Sequence, residues 1–254
     1  DLITELALDD ARCAARPEAK NRYILKGGKP QAAPASPPAL FSSSLFSFGA
    51  KLSIFKELLQ RPRVRSADVS LADFVRSHFG DELVEYGLNP FVSGVYAGDP
   101  DQLSARHSFP SLWKIEQETG SIIRGQIKAA KAGRAAGGPS GPPAIISFNE
   151  GLGTLPAALA AQIGSDDLGL NARIKSLIPG ERWGVVWNRA GETQVEEFDK
   201  VVLTLPAKPL ADLTIGSLGE RPLAELAEII YPAVSSLFLG YRRDQVAHPL
   251  DGFG

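Results

Sequence analysis

Between Gly133 and Pro143 the chain reads GRAAGGPSGPP, and the hydrophobic pattern differs on its two sides. A run so rich in Gly and Pro reads as a flexible linker. Before it, residues 39–133 form a helical block without a convincing strand. Beyond it come short apolar and alternating runs bounded by turn residues, the pattern of strands. The class that follows is α+β, a helical block combined with a mixed sheet.

Within the block, Phe41, Leu45, Phe48, Leu52, Phe55 and Leu59 are spaced 4, 3, 4, 3, 4, which is one face of a helix. Lys51 and Lys56 mark its polar side, and Arg61, Arg63 and Arg65 follow. Two readings stay open. The face packs in a core with a solvated basic exit, or it touches a bilayer, with the arginines set for lipid phosphates. Ser70-Leu-Ala-Asp73 starts a helix that Gly80 ends, and a short helix follows through Tyr86. Pro110 opens another, and Gly120-Ser121 leads into a last one to Lys131.

Residues 91–104 read FVSGVYAGDPDQLS. Gly94 and Gly98 among bulky apolar residues imply a sharp bend or something packed directly on the backbone.

On the N-terminal side, residues 1–15 read as the end of a helix, Arg22 to Gln31 as a Gly-Gly hairpin, and 30–38 as a loop. On the C-terminal side, Ala144–Phe148 is a strand and a helix runs from Gly151 through Ile163. Runs beginning at Ile174, Trp183 and Gln194 have the lengths of a β-meander. Lys200–Leu205 reads as a strand buried on both faces, 221–229 as helix, and Val234–Tyr241 as a final strand.

The 254 residues are 44% hydrophobic and 22% charged, with net charge -2. That balance gives no support for a nucleic-acid partner. The one cysteine, Cys13, rules out an internal disulfide. With three histidines and that cysteine, no cluster has metal-ligand spacing. No apolar run reaches the roughly 20 residues of a spanning helix. His78 and His107 have no nucleophile partner at a known spacing and read as structural; Glu116 and Glu118 read as a solvated helix face. Gly151-Leu-Gly153 is too short for a dinucleotide fingerprint, so the residues alone show no cofactor and assign no catalytic group.

Taken together, Arg22-Tyr-Ile, Asn89-Pro-Phe-Val-Ser-Gly-Val-Tyr-Ala-Gly-Asp-Pro100, Ser147-Phe-Asn-Glu-Gly-Leu152, Val201-Val-Leu-Thr-Leu-Pro206 and Pro249-Leu-Asp-Gly-Phe-Gly254 resemble the protoporphyrinogen oxidase family of the flavin amine oxidase superfamily. The resemblance implies an FAD-dependent oxidoreductase of haem or chlorophyll biosynthesis, membrane-associated, acting on a tetrapyrrole, with a homodimer allowed. Arg22 matches the arginine that pairs with a propionate. Gly94 matches the glycine whose carbonyl faces the ring nitrogens. Val234 and Leu250 match two aliphatic residues that sandwich a pyrrole, the first usually leucine. Ile174 occupies the position whose backbone meets the adenine of FAD.

The implied organisation is a substrate-binding domain starting at 1–38, a helical membrane-binding and channel domain over 39–133, a linker and strand over 134–150, part of an FAD-binding domain over 151–206, and substrate-binding domain again over 207–254. The family's Gly-rich βαβ unit and its C-terminal flavin segment do not occur here, so the chain is expected to be an internal fragment that holds FAD poorly and is inactive alone. Another flavoprotein of the superfamily, or a non-enzymatic membrane-surface module, stands as the alternative.

Overall fold

Residues 1–34, 37–135, 145–216 and 219–253 are described by a computed structural model, so most of the linker run lies outside the described residues. The chain opens with one helical turn, α1 (Leu2–Glu5), capped by the Asp1 carboxylate, which accepts the Ile3 N–H. The helix expected over 1–15 ends there, and β1 (Arg12–Ala14) follows. The Gly-Gly hairpin forms as read: β2 (Asn21–Lys26) pairs antiparallel with β3 (Lys29–Ala32). Gly27 and Gly28 both take left-handed φ at its turn.

The stripe from Phe41 to Leu59 is carried by two helices, α2 (Pro37–Ser42) and α3 (Phe48–Glu57). Serines cause the break. Ser43 Oγ accepts the Leu45 N–H, and Ser47 Oγ caps α3 by accepting the Ala50 N–H. The break turns Leu45 and Phe46 inward, where they pack with Ala50 against Ile24, Leu40, Leu83 and Tyr86. Phe48 (82% exposed), Phe55 and Leu59 face outward while Leu45 is buried, so the stripe is part core and part exposed in this chain.

Next come α4 (Leu71–Phe79), α5 (Asp81–Leu83), a π-helical turn over Val84–Leu88, and α6 (Asn89–Tyr96). Ser70 caps α4 and Gly80 ends it, as the sequence implies. The bend expected at Gly94 falls later, at Ala97, which takes φ 49°. α7 (Ala105–Ser108), α8 (Pro110–Thr119) and α9 (Ile122–Ala135) complete the helical region. At the α8–α9 corner Gly120 has φ 76°, and a Cβ there would overlap the Arg61 carbonyl. Leu71, Phe74, Val92, Ala105, Trp113 and Ile122 form the main core of these helices.

β4 (Ile146–Phe148), which pairs with β1, and α10 (Thr154–Ile163) lead to the meander. Its strands are β5 (Arg173–Ile178), β6 (Trp183–Arg189) and β7 (Glu192–Phe198), antiparallel as expected. α11 (Ala207–Asp212) and β8 (Thr214–Ile215) follow, with β8 parallel to β5. Leu177, Val185 and Leu213 are the core here. Two expected strands do not form. Lys200–Leu205 and Val234–Tyr241 have no ladder partner among the described residues, and Val202 and Phe238 are 84% and 93% exposed. A strand pattern without a neighbour has no hydrogen bonds to hold it extended. The helix expected over 221–229 is a 3₁₀ turn, Ala224–Glu228. The chain ends in β9 (Gly252–Phe253), parallel to β2.

Two compact units result: residues 1–13 with 146–231, and residues 14–145 with 232–254. The first holds the four-stranded sheet β7-β6-β5-β8; the second holds the sheet β3-β2-β9 and helices α2 to α9.

Candidate functional site

β2 sets Arg22 apart from its neighbours. Side chains alternate along a strand, so Asn21 and Tyr23 share one face and Arg22 takes the other. Asn21 and Tyr23 are half-buried, whereas Arg22 is exposed. Parallel pairing of Arg22 with Phe253 places the guanidinium carbon 3.5 Å from the centre of the Phe253 ring. Among the described residues no carboxylate pairs with it. A guanidinium lying on a ring keeps its donors for something else.

Asp251 closes the opposite side of the corner. Its carboxylate accepts the Tyr23 O–H at 2.7 Å and an Asn21 Nδ2–H at 2.9 Å. The Tyr23 bond is the main reason the Asp251 carboxyl lies below its ordinary range, and the same bond pushes the Tyr23 hydroxyl up. The His248 ring meets Tyr23 edge-on at 4.9 Å, and its Nδ1 accepts the Leu250 N–H. Leu250 is half-exposed and takes φ 57°, a left-handed conformation that costs a branched residue energy.

Arg22 lies on β2, and Leu250 comes two residues before the strand that pairs with it. The other three residues singled out from the sequence lie elsewhere. Val234 is 73% exposed in the irregular segment that precedes that corner in sequence. Gly94 lies in the last turn of α6, where carbonyls have no partner within the helix. Apart from its own helix backbone and chain neighbours, nothing among the described residues stands within 4 Å of where its Cβ would be. Ile174 belongs to the first unit. It pairs with Trp187 across β6, while β8 covers only Ser176 and Leu177 on the other edge of β5, leaving the Ile174 edge unpaired there.

A second polar centre went unread in the sequence. Glu116, expected on a solvated face, is 1% exposed. It accepts Arg65 Nε–H at 2.8 Å and a further Arg65 N–H at 2.8 Å, and faces His78 Nε2 at 3.0 Å. His78 Nδ1 lies 3.2 Å from Glu57, which is wholly buried. Glu57 in turn accepts the Ser121 hydroxyl at 2.7 Å and the Ile122 and Ile123 N–H groups at the start of α9. Burial raises the Glu57 carboxyl, but the bonds from His78, Ser121 and Ile122 outweigh it and hold the group below its ordinary range. Arg65 is thus taken up inside the unit and withdrawn from any lipid-facing role, and both ring nitrogens of His78 face buried carboxylates. Glu118 stays on the surface beside Lys114. Among the described residues no group of three or more His, Cys, Asp or Glu could hold a metal ion.

Comparison with known proteins adds the ancestry. The chain is 34% identical to protoporphyrinogen oxidase 2, chloroplastic/mitochondrial, of Arabidopsis thaliana, over 92% of this chain and 51% of that protein. It is 31% identical to protoporphyrinogen oxidase of Homo sapiens, over 100% of this chain and 54% of that one. The chain therefore spans about half the length of the curated relatives it matches. A crystal structure from Exiguobacterium sp. 255-15, provisionally named a protoporphyrinogen oxidase, superposes with a TM-score of 0.65 at 24% identity, covering 90% of this chain and 49% of that one. That likeness speaks to the fold, a mixed helix-and-sheet arrangement of the flavin amine oxidase kind. The sequence pattern described as "Flavin containing amine oxidoreductase" matches residues 1–252, and the chain belongs to that family of flavin-dependent oxidoreductases.

Proposed function

We propose that the full-length protein carrying this chain is an FAD-dependent oxidase that converts protoporphyrinogen IX to protoporphyrin IX. The observation that carries this reading is the Arg22 corner: a guanidinium that meets no carboxylate among the described residues, its carbon 3.5 Å from the centre of the Phe253 ring. A porphyrinogen is a large apolar ring with two carboxylates, and it needs an apolar slot with a cation at the rim. The relatives' names point the same way.

In this reading Arg22 takes a propionate and fixes the ring in the slot. In the full-length protein Leu250 and Val234 would each meet a face of a pyrrole, and valine in place of the usual leucine leaves that side wider. Gly94 offers a carbonyl from the last turn of α6 to ring N–H groups. FAD, when bound, supplies the hydride acceptor, and the protein positions the substrate for it. This chain would contribute the unpaired β5 edge at Ile174 toward the adenine.

A separate observation favours a membrane surface as partner. Phe41, Phe48, Leu52, Phe55 and Leu59 are all exposed on α2, α3 and the turn after them, with Phe41 and Phe55 rings 5.1 Å apart. Such a face fits the acyl boundary of a bilayer, with exposed Arg61 and Arg63 left for lipid phosphates. Among the described residues no helix is long and apolar enough to cross a membrane, so the contact would be interfacial.

Kinetics of Arg22 variants of the full-length protein test the function. Arg22→Ala should raise KM by about 10- to 150-fold, the value of one charge-assisted pair, with kcat and flavin content kept. Arg22→Lys should recover part of the loss. Unchanged KM in Arg22→Ala, or flavin lost along with activity, overturns the assignment.

A further inference from the structure

We infer that Asp251 is a positioning residue for Arg22, setting the plane of its guanidinium through the placement of Phe253; this rests on the propionate role proposed above. Asp251 holds β2 by the two residues that flank Arg22, taking Asn21 Nδ2–H on one carboxylate oxygen and the Tyr23 hydroxyl on the other. Its backbone carbonyl also accepts the Lys20 and Asn21 N–H groups, at 3.0 and 3.2 Å. Side chain and main chain of one residue thus fix where the last strand meets β2.

The next residues show what the clamp sets. Gly252 pairs with Asn21, so close that a Cβ there would overlap the Asn21 carbonyl. No slack remains for the strand to slide. Phe253 then falls opposite Arg22, and its ring meets the guanidinium face. An arginine can also be oriented by a carboxylate partner, but that partner would occupy the fork and compete with a ligand's carboxylate. A ring beneath the guanidinium fixes its plane while leaving its N–H edges free. Asp251 itself does not compete, since its two oxygens are engaged on the opposite face of β2.

The test uses the full-length protein with two substrates, the porphyrinogen diacid and its dimethyl ester. If Asp251 acts through Arg22, Asp251→Ala should raise KM for the diacid by about 5- to 20-fold, with kcat kept and little change for the ester. Asp251→Asn, which can still accept the Tyr23 hydroxyl, should recover part of it. Adding Asp251→Ala to Arg22→Ala should cost nothing further for the diacid. Phe253→Leu, which removes the ring without touching the clamp, should reproduce the diacid-selective loss even if Asp251→Ala folds poorly. Equal losses on diacid and ester, or losses additive with Arg22→Ala, overturn the inference and leave Asp251 a fold-holding residue. An Arg22→Ala protein with normal KM for the diacid would instead overturn the propionate reading itself.

Discussion

Glu57 and His78 face each other 3.2 Å apart in the interior of the helical unit, with neither side chain reaching solvent. Glu57 is on α3 and His78 on α4, and the second ring nitrogen of His78 meets Glu116 on α8. Through Glu57 the same chain of bonds reaches the first N–H groups of α9, where a negative charge is favoured by the helix end. His78 thus bridges the two buried carboxylates, and Arg65 pairs with the second of them.

Removing one partner from such a set leaves a buried charge uncompensated. His78→Ala should destabilise the protein by about 3–5 kcal/mol, read as a lower denaturant midpoint. Glu118→Ala on the same helix, exposed beside Lys114, should shift the midpoint by less than about 0.5 kcal/mol. Equal effects from the two would mean that the network carries no special weight.

Acid should loosen the same centre. The Glu57 carboxyl lies below its ordinary value of 4.5 in the folded chain, held there by His78, Ser121 and Ile122 against the cost of burial. A depressed folded value binds protons later than the unfolded one. The stabilisation is therefore complete above about pH 4.5 and is lost as pH falls through the folded value. Glu57→Gln should be less stable at neutral pH and should show a flatter acid limb when denaturant midpoints are plotted against pH. Parallel acid limbs for the two proteins would remove Glu57 as their source.

The apolar face of α3 makes the membrane proposal accessible to a simple measurement. Phe48 and Phe55 are 82% and 49% exposed, so Phe48→Asp and Phe55→Asp should leave the fold intact. Each should reduce flotation with liposomes, most clearly in vesicles containing anionic lipid, where Arg61 and Arg63 add attraction. Unchanged flotation in both variants would mean that this face meets a protein surface or none.

What the sequence determined by itself is mostly local. Ser70, Gly80, Pro110 and Gly120 mark helix ends correctly because a cap depends on residues within a turn of each other. The Gly-Gly hairpin and the meander are legible for the same reason. The motifs around Arg22, Gly94 and Pro249–Phe253 carry family membership, since ancestry is written in residue order. Tertiary structure decided the rest. Glu116 sits at helix spacing that suits a solvated face, yet its partners Arg65 and His78 come from 51 and 38 positions away. Periodicity carries no information about a charge delivered by another helix. Asp251 reaches Asn21 and Tyr23 across 230 and 228 positions, so the device beneath Arg22 has no local trace either. The runs at 200–205 and 234–241 have strand composition but no ladder partner among the described residues, because β-structure is a property of a pair and a sequence states only one member of it.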